Sequence, residues 1–129
     1  MAHLAIEYSP GLGARADVPA LCATLHAAMI ATGVFPVAGI RVRAHRADHA
    51  IVADGDAQNY FAALTLSVGA GRSPETLQAA GAQVFDAAQS ALRDLLSTGY
   101  FALSLEIRVI DPELSWKDTP IHARLSGRS

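Results

Sequence analysis

The sequence predicts an α+β domain in which one β-α-β unit is used twice, giving a four-stranded sheet with two helices on one face. Three observations carry that expectation. Four segments alternate apolar and polar residues or read as short apolar runs, the signature of strands. Two longer segments repeat apolar residues at helical spacing, each placed between two of those strands. The two helix exits also resemble each other, Thr32-Gly33-Val34-Phe35 being echoed by Thr98-Gly99-Tyr100-Phe101. Ile40-Arg41-Val42 is likewise echoed downstream by Ile107-Arg108-Val109, as a duplicated unit requires. A single domain over residues 1–129 is expected, with internal halves at about 1–56 and 57–129.

The first strand is read from Leu4, Ile6 and Tyr8 alternating with Ala5, Glu7 and Ser9, and Pro10 to Gly13 break it. Asp17 caps a helix with Pro19 in its first turn, where the missing N–H does no harm. Val18, Leu21, Cys22, Leu25, Ala28 and Met29 form its buried stripe, and Gly33 suits the left-handed position just past its end. From Gly39 to His45 the chain alternates again: Ile40, Val42 and Ala44 face one way, Arg41, Arg43 and His45 the other. Tyr60 to Val68 is the third strand, closed by Gly69-Ala70-Gly71-Arg72. Ser73-Pro74-Glu75 starts the second helix with a capping hydroxyl, a first-turn Pro and an acid at the positive dipole end. Leu77, Gly81, Val84, Ala88, Leu92 and Leu95 carry its stripe to about Thr98, and Ala102 to Ile110 is the fourth strand. Each helix between two strands is long enough for a right-handed parallel crossover. In the tail, Pro112 and Pro120 oppose long regular structure, and Trp116 packs either at an interface or on its own subunit.

With 129 residues, 51% hydrophobic and 17% charged, the chain has ample core and a thin charge coat compared with the ~25% usual for soluble proteins. Thin charge and a bare sheet face both call for burial against other subunits. A net charge of −2 gives no nucleic-acid footprint. No apolar run approaches the ~20 residues needed to span a bilayer, and the start of the chain has no basic or long apolar region. A soluble cytoplasmic protein without membrane contact is therefore expected. The single cysteine, Cys22, reads as a small buried hydrophobe. No convergent set of metal ligands and no nucleophile elbow is visible. All cations except Lys117 are arginines, suited to gripping anions through planar forks.

Arg72 follows a Gly-rich turn at a helix start, where free backbone N–H groups and a guanidinium fork together suit a carboxylate. The same residues also fit a capped helix after a tight turn with an exposed Arg. The turn is too short for a phosphate-binding loop and lacks its Lys-Ser/Thr pair. Arg41 and Arg43 share a strand face with His45, which reads either as a solvated face or as part of an anion grip. Together, Arg41 and Arg72 offer guanidinium groups from two separate units, a way to hold a di- or tricarboxylate. From residues alone, an enzyme without metal or nucleotide and an oligomeric binding module both remain open.

Gly33-Val34-Phe35-Pro36-Val37-Ala38-Gly39-Ile40-Arg41 and Gly69-Ala70-Gly71-Arg72-Ser73 resemble signature segments of the 5-carboxymethyl-2-hydroxymuconate isomerase family. Ala53-Asp54-Gly55, Ala102-Leu103-Ser104-Leu105-Glu106-Ile107 and Ile121-His122-Ala123 are similar too, in the same order over nearly the whole chain. That family belongs to the tautomerase superfamily, with 4-oxalocrotonate tautomerase and macrophage migration inhibitory factor as relatives. The resemblance implies a tautomerase-like homotrimer with sites near subunit boundaries. It implies an enol–keto isomerisation of a tricarboxylate in homoprotocatechuate breakdown, without metal or organic cofactor. It further implies that Arg41 and Arg72 bind carboxylates and stabilise charge on the 2-oxygen, and that His3 helps orient substrate.

The departure from the family lies at position 2. The family's base is an amino-terminal proline exposed by removal of the initiator Met, and here the residue is Ala2. Removal of Met1 leaves a primary amine with an ordinary pKa of about 7.7–8, which nearby Arg charge and desolvation lower. Two functions follow. One is an isomerase whose base is the Ala2 amine, acting on the hydroxymuconate or on smaller enols such as phenylpyruvate. The other is a carboxylate-binding protein of lost or altered activity on the same fold.

Overall fold

The computed structural model describes residues 1–126. Strand β1 (Ala2–Tyr8) is followed by a single turn of helix, α1 (Pro10–Gly13), where the sequence suggests only a break. Pro10 accounts for it, since a proline at the first helical position is pre-set for that conformation. Helix α2 (Val18–Ala31) is capped by the Asp17 carboxylate, which accepts the Ala20 N–H at 3.0 Å. Strand β2 (Ile40–Arg46) completes the first unit, and the chain then crosses to β3 (Tyr60–Gly69). In that crossing Ala53 and Gly55 both adopt positive φ, and the Asp54 carboxylate accepts from the Asp56 N–H and the Asn59 amide. Helix α3 (Pro74–Ala91) is capped by Ser73, whose hydroxyl accepts the Thr76 N–H at 3.1 Å.

The second helix is not continuous to Thr98 as its stripe suggests. Leu92 leaves helical geometry at φ −112° and ψ 22°, and a separate turn, α4 (Arg93–Leu96), follows. The bonds from Leu92 N–H to Ala88 and from Leu96 N–H to Leu92 persist, so the axis is distorted rather than cut. Apolar spacing alone does not register such a distortion, because Leu92 stays buried through it. Strand β4 (Phe101–Ile110) ends the second unit. In the tail regular structure stays short, as its prolines suggest, and Pro120 stands at the first position of the six-residue α5 (Pro120–Leu125).

The sheet order is β2-β1-β3-β4, with β1 parallel to β2, β3 parallel to β4, and the two halves joined antiparallel through β1 and β3. Helices α2 and α3 pack against each other over one face, so the expected α+β architecture holds. The two exits match in detail. Thr32 donates its hydroxyl to Met29 O and accepts the Val34 N–H, and Thr98 does the same with Leu95 O and the Tyr100 N–H. Only the first exit uses a left-handed residue, Gly33 at φ +69°.

Leu4, Ile6, Leu64, Leu66, Val68, Leu25, Met29, Val84 and Ala88 form the centre of the core. The first helix buries only Leu21, Leu25 and Met29 fully; Val18, Cys22 and Ala28 lie at its margin. Cys22 is thus half-buried rather than buried, and desolvation pushes its thiol pKa up. Leu66→Ala, at a position with no exposure on a central strand, is expected to destabilise the fold by about 2–5 kcal/mol in denaturant unfolding.

The opposite sheet face carries no helix. Its rows run Arg41–His3–Ser67–Arg108 and Arg43–Ala5–Thr65–Glu106 across the four strands. Among the described residues the one ion pair, Arg108–Glu106 at 3.0 Å, lies there. Trp116 does not pack on its own subunit: it is 86% exposed, because the tail crosses the sheet's end instead of folding back on the core.

Candidate active site

Because β1 lies between β2 and β3, the start of the chain is delivered to the middle of one sheet edge. Met1 O accepts the Gly69 N–H at 3.2 Å, which ties the terminus to the end of β3. On the other side the terminus rests on Gly39, where an added Cβ would stand 3.0 Å from Met1 Cα and 3.1 Å from the Met1 nitrogen. A side chain there would push the terminus back by a few tenths of an ångström, so glycine at this position lets the terminus sit closely.

Two cavities open beside the terminus. One, of about 170 Å³, is lined by His3, Arg41, Gly39, Lys117, Thr119 and His122 among others. The second, of about 310 Å³, is lined by Gly69, Ala70, Arg72, Ile110, Ser115 and Lys117 among others. Met1 and Lys117 are the two residues that line both. The turn before β2, the turn before α3 and the segment after β4 therefore meet at the amino terminus.

Arg72 does not extend into solvent. Its Nε donates to Val34 O and its Nη1 to Gly69 O, both at 3.3 Å, and its guanidinium lies 5.1 Å from the centre of the Phe35 ring. The signature segments at 33–41 and 69–73 thus hold one another, and Arg72 is fixed at the cavity wall with donors to spare. Arg41 is exposed at the start of β2 and stands beside His3 in strand register. Neither arginine, nor Lys117, pairs with a carboxylate among the described residues.

That unbalanced positive charge is visible in the titrating groups. The amino terminus is held below its usual pKa of 8.0, first by burial, then by the charges of Arg72 and Lys117. His3 is lowered from 6.5, first by burial, then by Arg41, Arg43, the amino terminus and Lys117. Burial and these charges both favour the neutral amine, the form able to accept a proton, in surroundings that favour an anion.

Of the residues singled out in the sequence, the terminus at Met1-Ala2, His3, Arg41 and Arg72 are brought together. The Ala2 side chain itself faces the core and is fully buried, so of position 2 only the backbone is available to the cavities. Arg43 and His45 run along the bare face away from both cavities, and His26 lies in a separate groove under α5. Lys117 and Thr119 were not legible as site residues, since no periodic or motif signal marks them; His122 stands in a segment that resembles the family, but nothing local pointed it at the terminus. Among the described residues no three His, Cys, Asp or Glu side chains gather as metal ligands, and no helix is long and apolar enough to cross a membrane.

Comparison with known proteins extends this geometry. A family model described as 5-carboxymethyl-2-hydroxymuconate isomerase matches residues 2–125. The 5-carboxymethyl-2-hydroxymuconate Delta-isomerase of Escherichia coli is 38% identical over 123 residues, covering 95% of this chain and 98% of the relative. A crystal structure of a 5-carboxymethyl-2-hydroxymuconate isomerase from Deinococcus radiodurans R1 superposes with a TM-score of 0.87 at 33% identity, over 96% of this chain and 93% of that one. A fused 4-OT symmetric trimer shares the fold alone, at 18% identity and a TM-score of 0.57, over 81% of this chain and 84% of that one.

Proposed function

The chain is an isomerase belonging to the 5-carboxymethyl-2-hydroxymuconate isomerase family, and from that premise we propose that it converts 5-carboxymethyl-2-hydroxymuconate from its enol to its keto form in homoprotocatechuate breakdown. The observation that carries this reading is an amino terminus set between two cavities, its pKa lowered by burial and by cations that no carboxylate offsets among the described residues. Removal of Met1 exposes the Ala2 amine at the junction of those cavities. This amine takes the proton from the 2-hydroxyl and delivers it to carbon 5. Arg41 and Arg72 hold carboxylates from the two sides, and Arg72 turns its spare donors to the charge growing on the 2-oxygen, a role that is often the largest electrostatic contribution. His3, neutral near pH 7, orients substrate by hydrogen bonding.

The protein works as a homotrimer with sites near subunit boundaries. Its bare sheet face and its exposed Trp116 and Leu114 support this reading. No cofactor takes part.

The test is an ultraviolet assay that follows loss of the conjugated dienol on purified, mass-verified protein. Because the base must be neutral, kcat/KM should rise with pH and level off with a midpoint below 8.0: the amine of Met1, one residue away, is already lowered by burial, Arg72 and Lys117, and the Ala2 amine would face the same cations. A midpoint above 8.0 would contradict the assignment of the amine.

Ala2 favours a second reading, a carboxylate-binding protein that has lost the family's proline. It gives thermal stabilisation by tricarboxylates without turnover, and turnover that appears in Ala2→Pro. The first residue of a strand accommodates proline, so that variant can fold.

A further inference from the structure

We propose that Lys117, the only lysine of the chain, is a specificity residue that holds the third carboxylate and so selects tricarboxylates over dicarboxylates. The inference rests on the functional reading above and concerns the same site. Arg41 lines one cavity and Arg72 the other, while Lys117 is the one residue beyond Met1 that lines both. It is close enough to the amino terminus and to His3 for its charge to act on each of them. No carboxylate neutralises it among the described residues. Three unpaired cations around one amine match a substrate with three negative groups, whereas two arginines suffice for a dicarboxylate such as 2-hydroxymuconate. The type of residue fits the task. A flexible ammonium is a movable point charge, suited to a carboxymethyl arm that rotates, whereas the planar forks suit carboxylates conjugated with the reacting diene.

The experiment compares wild type, Lys117→Met and Lys117→Arg in two readouts. In turnover, the preference in kcat/KM for 5-carboxymethyl-2-hydroxymuconate over 2-hydroxymuconate should fall by about tenfold or more in K117M, mainly through KM, and recover in part in K117R. In binding, calorimetry with propane-1,2,3-tricarboxylate and with glutarate reads the same preference without chemistry. Wild type should bind the tricarboxylate more tightly, and K117M should bind the two alike. A preference unchanged in K117M overturns the assignment in either readout. Absence of turnover together with a lost tricarboxylate preference in K117M contradicts the isomerase reading while upholding the role of Lys117.

Discussion

Arg72→Ala should lower kcat/KM for the hydroxymuconate by about two to three orders of magnitude, the range seen when one donor to a developing oxyanion is removed. The size follows from geometry. Arg72 is not a mobile surface charge but a guanidinium pinned by Val34 O and Gly69 O and seated against the Phe35 ring. Its spare donors are therefore already aimed when substrate arrives, and no side-chain ordering is needed at the moment of reaction. Arg72→Lys should recover only part of the loss, because an ammonium restores charge without the two-pronged fork. Since the same side chain ties the 33–41 segment to the β3–α3 turn, thermal unfolding of each variant must accompany the kinetics. A folded R72A protein that retains more than a tenth of wild-type kcat/KM would show that Arg72 is structural rather than catalytic.

Retention of Met1 should be the other large effect, with kcat/KM at least about a hundredfold below that of the processed chain. Displacement of a reacting group by even ~1 Å can cost that much, and an added residue moves the amine further than that. Met1 also occupies the junction itself, lining both cavities, so its removal would free space there as well as the Ala2 nitrogen. The measurement compares one preparation before and after treatment with a methionine aminopeptidase, each fraction checked by intact mass. Equal activity in the two fractions would place the base elsewhere.

Much of the fold was legible because it depends on local chemistry. Asp17 and Ser73 cap their helices as their positions suggest, and Gly33 takes the left-handed conformation that its place past a helix end requires. The strand alternation of Leu4 and Ile6 survives as burial. What the periodicity missed was short or distorted: the turn of helix at Pro10–Gly13, the departure at Leu92, and α5 started by Pro120. In the site, Arg41 and Arg72 could be named because each stands in a recognisable segment. Lys117 could not, because its position depends on the path of a tail whose prolines oppose long regular structure. Nor did Arg72 announce that its first contacts are Val34 and Phe35, some forty residues earlier, since packing between the two units is invisible to any local pattern.

The most direct test of the central claim pairs intact-mass analysis with the isomerase assay on a single sample. Protein whose mass shows Met1 absent should convert 5-carboxymethyl-2-hydroxymuconate to its keto isomer, and selective acylation of the Ala2 amine should abolish that conversion. Processed, folded protein that binds the tricarboxylate yet leaves it unchanged, or that keeps full activity after acylation, would contradict the amine as the catalytic base.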